Sequence, residues 1–555
     1  MYHLRAAFAS IDCAARDIVS IHKDRRCGVP FALPLFLSSS SITTTTTSRE
    51  DLTRLAFHNV ATLSSIWNLV LDKVSCDVEW LLSVWIFFIF FFQLNSNNNF
   101  TEHILQVLHE TSKTDTFVNK LIGILKRKEN VETIRLHLIR QDYLPNYDKD
   151  NMIIPFQYFK AVEFNTIAVA FASFSEELAR VHNRYNLTFK NSNRPLLSAD
   201  FNLASKSYAA ALARAHKLYT TSSSSSTDLP EVCFLVHEND HLDLDQELIL
   251  RHLIRMGVRT FKACFETSNF EIRNLKGYKK KCLFVNARHV SVTYFHATWS
   301  PSQFNCEKDW SNRETIEMSS CIKVPTIASQ LAGTKKVQEA LSHRKTLIRF
   351  LKKLELDPDA SLDISNEFAE ILSMVRSDSA LKMYKNMVQS TPLIDRLLGS
   401  TVMQIDPHQD SSSSDLIVQE ALKCPEDWVL KPQREGGGNN LFGKDLHAAL
   451  KGIHDSSSSS SSSKEYYTLM RKIKSKPQGP REYISKSGVP HHEQGISELG
   501  LFTTLLVVND NEKKKKEEVM TSMGGAFCRT KHPDRDEGGV CSGNGFIDIP
   551  YFNSF

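Results

Sequence analysis

The stretch "VLKPQREGGGNNLFG", residues 429–443, is the one whose reading decides the fold. Gly436, Gly437 and Gly438 carry no Cβ, so with Asn439 and Asn440 they make a loop whose amides can approach an anion closely. The preceding "WVL" reads as a short buried strand that delivers Lys431, Gln433, Arg434 and Glu435 into the glycines. No Gly-Lys-Ser/Thr follows, so this is not a P-loop, and the glycine spacing is not that of a dinucleotide fingerprint. A bare run of glycines is most simply a flexible surface turn. A cation, a carboxylate and free amides crowded into one turn suit a nucleotide with its metal instead.

Outward from that loop, "FKAVEFNTIAVAF" (159–171) reads as a strand. Side chains alternate along it, so Glu163 and Asn165 share a face, where a carboxylate and an amide oxygen can hold a hard cation such as Mg2+. "QLAGTKKVQEAL" puts Lys335 where a helix begins, a position from which it can reach a phosphate. "CRTKHPDRDEGGVCSGNG" (528–545) offers Arg529 and Lys531 on one face, then Glu537 beside Gly538 and Gly539. A guanidinium matches a carboxylate in two-pronged fashion. Each stretch also has a plain reading, as a polar strand face, a first-turn lysine or a solvated loop. Together they predict nucleotide, metal and carboxylate substrate meeting in one cleft.

The chain of 555 residues can bury a large core and form more than one domain. Lys+Arg 67 against Asp+Glu 63 leaves +4, too balanced for a general nucleic-acid binder. The 11 cysteines show no Cys-x-x-Cys pair, which predicts reduced thiols in the cytoplasm. The N-terminal stretch lacks the long apolar core of a secretory signal. "WLLSVWIFFIFFFQL" (80–94) is shorter than the roughly 17–25 residues of a membrane helix, so no membrane association is expected. Ser/Thr tracts at 38–48, 220–227, 411–414 and 456–463 read as flexible loops. "EKKKKEE" (512–518) between apolar runs reads as a hairpin tip. His491 and His492 read as a solvent-exposed pair in a loop rather than a metal site.

In the middle of the chain, "EVCFLVHEN", "DQELILRHLIRMG" and "VRTFKACF" alternate strand, helix, strand, the pattern of a parallel α/β unit. "CLFVNARHVSVTYFH" (282–296) reads as two strands joined at Asn286–Arg288, and helices dominate 335–400. The class is α/β or α+β.

"LKPQREGGGNNLFG", "QLAGTKKVQ", "ISELGLF", "RTK" and "DEGGV" stand in the order found in the eukaryotic glutathione synthetases, with further matches at "VEFNTIA", "TYFHATWSPSQF" and "IDIPYF". The chain resembles that family over most of its length. The resemblance implies an ATP-grasp fold with an inserted parallel α/β substrate-binding domain, divided as 1–228, 229–335 and 336–555, and a homodimer. It implies ATP-dependent joining of glycine to γ-glutamylcysteine through an acyl phosphate, with ATP as co-substrate and Mg2+ as cofactor. By the same resemblance Glu163, Asn165 and Glu435 are the Mg2+ ligands. Lys335, Lys431, Met470, Lys472, Ile473, Glu498, Lys531 and Glu537 contact ATP. Gly436, Gly437, Gly438, Asn439, Asn440 and Phe442 belong to the loop over the phosphates. Arg529, Lys335 and Glu435 are the residues of catalysis. Arg140, Ala168, Ala170, Gln246, His296, Trp299, Arg529, Val540 and Cys541 occupy the peptide positions.

The chain also departs from the family. Ala168 and Ala170 stand where serines are common, His296 where an arginine follows "YF", Trp299 where a tyrosine is usual, and Arg471 where an acidic residue is usual. A neutral histidine does not replace a guanidinium, so peptide affinity is expected to fall by a few kcal/mol, on the order of a lost charged hydrogen bond. Two alternatives stay open at this level: another acceptor amino acid, giving a homoglutathione-type product, and a nucleotide- or peptide-binding relative with impaired catalysis. The stretch 84–99 interrupts a helix of the family and reads as an insertion or a translated intron.

Overall fold

Long antiparallel strands build the largest layer, because apolar residues alternate between its two faces. Its seven strands run in the order β13 (Gln478–Ile484), β1 (Phe31–Ala32), β16 (Gly545–Asp548), β15 (Glu518–Lys531), β14 (Pro490–Val508), β2 (Ile134–Pro145), β3 (Phe159–Asn165). The computed structural model describes residues 31–32, 49–82, 108, 111, 115–128, 132–147, 153–189, 202–221, 229–238, 240, 242–275, 281–361, 378–408, 412–433, 439–455, 466–484, 490–509, 517–538, 540 and 545–550. The stretch 84–99 lies outside them, as do Arg434, Glu435, the three glycines of 436–438 and Cys541.

One face of this sheet, with Ile139, Tyr143, Leu499 and Leu501, is buried together with the helix Arg49–Cys76, whose Val60, Leu63, Trp67, Val70 and Val74 recur at helical spacing. The other face, with Leu136, Leu138, Phe502 and Leu506, packs with the helix Ala204–Thr221 through Tyr208 and Leu212. A buried ionic cluster joins the first helix to β2. Asp72 accepts from Arg135 at 2.7 and 2.9 Å and lies 2.9 Å from His137 Nε2, and Arg135 also reaches Glu517 at 2.9 Å.

The middle of the chain forms the predicted α/β unit. Its sheet is ordered β5 (Thr260–Cys264), β4 (Glu231–Val236), β8 (Arg288–Phe295), β7 (Cys282–Val285), β6 (Phe270–Arg273), with β9 (Ile322–Val324) also on β8. β4 is parallel to both β5 and β8, and the helix Asp243–Arg255 crosses between β4 and β5. A third, three-stranded sheet is ordered β10 (Gln404–Ile405), β12 (Tyr467–Arg471), β11 (Trp428–Pro432), its core made by Trp428, Leu430 and Leu469 with Leu446 and Leu450 of the helix Gly443–Asp455. The class is mixed helix and sheet with a parallel unit in the middle, as the sequence predicts.

Two local expectations are corrected. Ser412, Ser413 and Ser414 open the helix Ser412–Lys423, so that tract does not stay a loop. His491 and His492 lie on β14, paired with Tyr483 and Glu482, and not in a loop. The charged stretch 512–518 does join two antiparallel strands, since Val508 pairs with Glu518, while residues 510–516 lie outside the described set. Of the apolar stretch from 80, Trp80 and Leu81 are buried, Trp80 edge-on to Phe350 at 4.9 Å. Among the described residues no helix is long and apolar enough to cross a membrane.

Candidate active site

Strand pairing assembles a row of charged side chains across four neighbours of the large sheet. Arg140 lies opposite Asn165, Asp142 opposite Glu163, Gly500 opposite Asp142, and Glu498 opposite Arg529. Period-two alternation puts Arg140 with Asp142, Glu163 with Asn165, and Arg529 with Lys531 on shared faces. Arg140 grips Asp142 with two parallel bonds of 2.8 and 2.7 Å. Arg529 donates to Glu498 and stands 3.9 Å from Asp142. The Asn165 amide nitrogen donates to Asp142 at 3.1 Å and to the Arg140 carbonyl at 3.3 Å, which turns its oxygen outward as an acceptor or ligand.

Two lysines close on Glu163 from other elements. Lys335 Nζ is 2.9 Å from its carboxylate, and Lys431 Nζ is 3.5 Å from the Val162 carbonyl. Burial by itself would raise the Glu163 carboxyl, but Lys335, Lys431, Arg529 and Arg140 outweigh it and hold it well below the ordinary range. Glu498 goes the other way. Its burial outweighs Arg529, Asp142 and Glu163 repel a second charge, and the carboxyl is raised.

Lys335 opens the helix Lys335–Leu341, behind an extended Thr334. Gly333 lets that helix approach β3, since a Cβ there would stand 2.6 Å from Thr166 Oγ1. The adjacent Lys336 points away from the site. Its backbone N–H donates to Gln433 at 2.7 Å, and its ammonium reaches Asp406 at 2.7 Å and Glu339 at 2.9 Å, bolting the helix to the three-stranded sheet.

The glycine loop leaves β11 and returns at Leu441, where two backbone bonds of 3.0 and 2.9 Å with Leu430 close its ends. Beyond it the Asn440 N–H donates to Glu537 at 3.2 Å. Lys472 sits 3.1 Å from Asp536 and 5.4 Å above the Phe442 ring. Lys531 donates to the Asp536 carbonyl, and burial lowers its ammonium. Met470 is buried on β12 and Ile473 follows that strand. Arg471 turns outward, 3.3 Å from Glu420 and over the Trp428 ring.

Lys431 yields a pH prediction. Burial, then the charge of Lys335, lowers its ammonium to about 8. A deprotonated amine no longer attracts phosphate, and kcat/KM reports groups of the free enzyme. The value of kcat/KM for ATP is therefore expected to fall as pH rises through about 8. In Lys431→Arg, which stays charged, this limb moves out of the accessible range. A limb unchanged in the arginine variant would assign it to another group.

Of the residues expected to meet the peptide, Ala168 and His296 lie at the ends of β4 and β8, through backbone bonds to Phe295 and Leu235. The expected strand 159–171 ends earlier, at Asn165. Residues Ala168 and Phe171 then take φ of 49° and 77°, and Asp245 fixes the turn by accepting from the Phe171 and Ser173 amides at 2.8 and 2.7 Å. The Ala168 N–H donates to the Phe295 carbonyl at 3.2 Å, and the Ala170 carbonyl accepts from Arg140 at 3.2 Å, so one loop joins the charged row to β8. His296 is buried edge-on to Tyr294, 4.7 Å between centroids, and burial lowers its imidazole to about 4. Gln246 is buried at the start of the crossover helix. The Trp299 backbone N–H donates to Gln303, and the residue lines a small cavity with Gln330, Gly333 and Lys335. Val540 is buried in the second core.

Asp142, Asp245 and Lys336 were not singled out from sequence. "RQD" in an apolar strand did carry a signal, two opposite charges at period two. Among the described residues no three His, Cys, Asp or Glu side chains gather as a metal site. The donor set still fits Mg2+, which takes one or two carboxylates and completes its shell with phosphate oxygens and water. Ionised Glu163 and the outward Asn165 oxygen supply that pattern.

The chain is also similar to known proteins over most of its length. Residues 91–552 match the family model described as eukaryotic glutathione synthase, ATP binding domain. The glutathione synthetases of Mus musculus and Homo sapiens are each 30% identical over 450 residues, 80% of this chain and 81% of theirs. The chloroplastic glutathione synthetase of Solanum lycopersicum is 28% identical over 81% of this chain and 71% of its own. Among solved structures, a glutathione synthetase like-effector from Globodera pallida in apoform superposes with a TM-score of 0.57 at 16% identity, over 98% of this chain and 96% of that one.

Proposed function

The chain belongs to the eukaryotic glutathione synthase family, ATP-dependent ligases of glutathione synthesis, and from that premise we propose that its charged row joins glycine to γ-glutamylcysteine. A carboxylate is a poor electrophile, so the cysteinyl carboxylate first takes the γ-phosphoryl group of ATP, giving an acyl phosphate and ADP. The glycine amine then attacks the acyl carbon, the C–O bond to phosphate breaks, and the amine loses a proton as the amide forms. No side-chain nucleophile is required. Positioning and charge stabilisation suffice.

The observation that carries this reading is the sheet row itself: a deprotonated Glu163 between Lys335 and Lys431, beside Arg140 and Arg529. The two lysines would hold ATP phosphates, while Glu163, Asn165 and Glu435 would hold Mg2+, which when bound neutralises phosphate charge. Arg529 would orient the reacting carboxylate, and Glu498, Met470, Lys472, Ile473, Lys531 and Glu537 would line the nucleotide. Gly436, Gly437 and Gly438 with Asn439, Asn440 and Phe442 would close over it and keep water out. The peptide then extends toward Gln246, His296 and Trp299, with Val540 and Cys541 near the acceptor. We further propose a homodimer in a reducing, cytosolic setting; among the described residues Cys76, Cys233, Cys264, Cys306, Cys321 and Cys424 enter no disulfide.

The test is phosphate release by the purified chain with ATP, Mg2+ and γ-glutamylcysteine, with and without glycine, and mass analysis of the product. Glycine-dependent release with a glutathione mass is expected. Release that depends on a different amino acid would reassign the acceptor, and ATP binding without any peptide product would refute the ligase reading.

A further inference from the structure

The reacting end of the peptide is its cysteinyl carboxylate, so the other end, which carries an ammonium and an α-carboxylate, must reach away from the charged row. The loop through Ala168 and Ala170 leads from Arg140 to the carboxyl ends of β4 and β8, where ligands of parallel sheets bind. Two buried polar atoms there have no hydrogen-bond partner among the described residues: His296 Nε2 and Gln246 Oε1. A buried polar atom without a partner calls for an explanation, and beside a sheet end that binds ligands a donor or acceptor of the ligand supplies one.

The chemistry of these groups is one-sided. Gln246 gives its Nε2 to the Asp240 carboxylate and keeps its oxygen for a donor. Asp240 also accepts from the Leu242 N–H at 2.8 Å and lies within electrostatic reach of His296, so a carboxylate borders both residues. A carboxylate and an amide oxygen fit an ammonium. The nearby cation Lys262 is engaged by Asp243 and, at 3.4 Å, by Glu247. His296 is buried edge-on to Tyr294, and burial, which lowers its imidazole to about 4, leaves it without a permanent charge. Among the described residues these groups therefore offer two acceptors for an amine and no uncommitted cation for a carboxylate.

We propose that this pocket selects its peptide by the ammonium of the terminal residue and makes little use of an α-carboxylate, so that ω-aminoacyl-cysteine peptides are substrates alongside γ-glutamylcysteine. The inference rests on the ligase reading above. The reaction is unchanged: the same cysteinyl carboxyl is phosphorylated, the same amide forms and phosphate leaves.

The experiment compares γ-glutamylcysteine with 4-aminobutyrylcysteine, the same peptide without its α-carboxylate, using the full chain with ATP, Mg2+ and glycine. The expected kcat/KM values differ by less than about tenfold, since loss of a charged hydrogen bond would separate them by about tenfold or more. A preference for γ-glutamylcysteine of about tenfold or more overturns the inference while leaving the ligase reading intact. His296→Arg, checked for retained ATP binding, is expected to create such a preference, and an unmoved ratio also overturns it. If neither peptide is ligated, the ligase reading fails, and the inference is then read from equilibrium binding of the two peptides with a non-hydrolysable ATP analogue. The same tenfold threshold applies there, and no binding of either peptide overturns it.

Discussion

Glu163→Gln is expected to lower kcat for ligation by about a hundred- to a thousandfold, the scale seen when one preorganised charge-stabilising group is removed from a water-excluded site. The variant keeps the shape of the side chain and loses only its charge. Lys335, 2.9 Å away, and Lys431 would then face each other without the carboxylate that separates them. Those freed cations still attract phosphate, so KM for ATP should hold or fall while kcat collapses. That split distinguishes a role in the reaction from general damage, which would weaken ATP binding as well. A neutral amide oxygen is also a poorer Mg2+ ligand, so the variant should need more Mg2+ to reach its residual rate. Steady-state ATP turnover at several Mg2+ concentrations reads both effects. A kcat within about threefold of wild type would remove Glu163 from the metal and phosphate site.

How much of this site the sequence discloses depends on whether a residue's role is local. Glu163 with Asn165, and Arg529 with Lys531, are legible because alternation on a strand is a local property, and the structure puts each pair on the sheet face that carries the charge. Asp142 is not legible in this way. It becomes central only because β2 happens to be flanked by both β3 and β14, a non-local pairing that brings Glu163 and Arg529 to it. The two lysines of "GTKK" look equivalent in sequence. The fold separates them, since Gln433 and Asp406 capture Lys336 from the far side of the helix. The turn after Asn165 was hidden for a different reason. "NTIAVAF" contains no glycine or proline to mark a break, and the positive φ at Ala168 and Phe171 is stabilised from outside by Asp245, whose own carboxyl burial raises to about 6. The parallel unit, by contrast, is legible in β4, β5, β7, β8 and the crossover helix, which carry patterns of the right period, while the short β6 and β9 are too brief to show one.

Asp72→Ala should destabilise the folded chain by about 3–5 kcal/mol, the cost of removing one partner from a buried ion pair. Burial opposes the charge of Asp72, yet hydrogen bonds from His137 and Arg135 outweigh it and hold the carboxyl far below its ordinary 3.8. With alanine in its place, Arg135 remains buried on β2 with Glu517 as its other anionic partner, and the helix Arg49–Cys76 loses one of its polar ties to β2, that from Gln141 to Ser64 and Asn68 remaining. The sign of the pH dependence follows from a depressed folded pKa. The contribution of Asp72 is fully present above the unfolded value of 3.8 and is lost as pH falls through the lower folded value. The gap between wild type and variant should thus be constant from neutral pH down to about 5, and should narrow only below 3.8. Urea unfolding followed by far-UV circular dichroism across that range measures it. A gap that closes between neutral pH and about 5 would overturn the assignment to ionised Asp72, because a buried carboxylate held by a guanidinium does not take up a proton in that window.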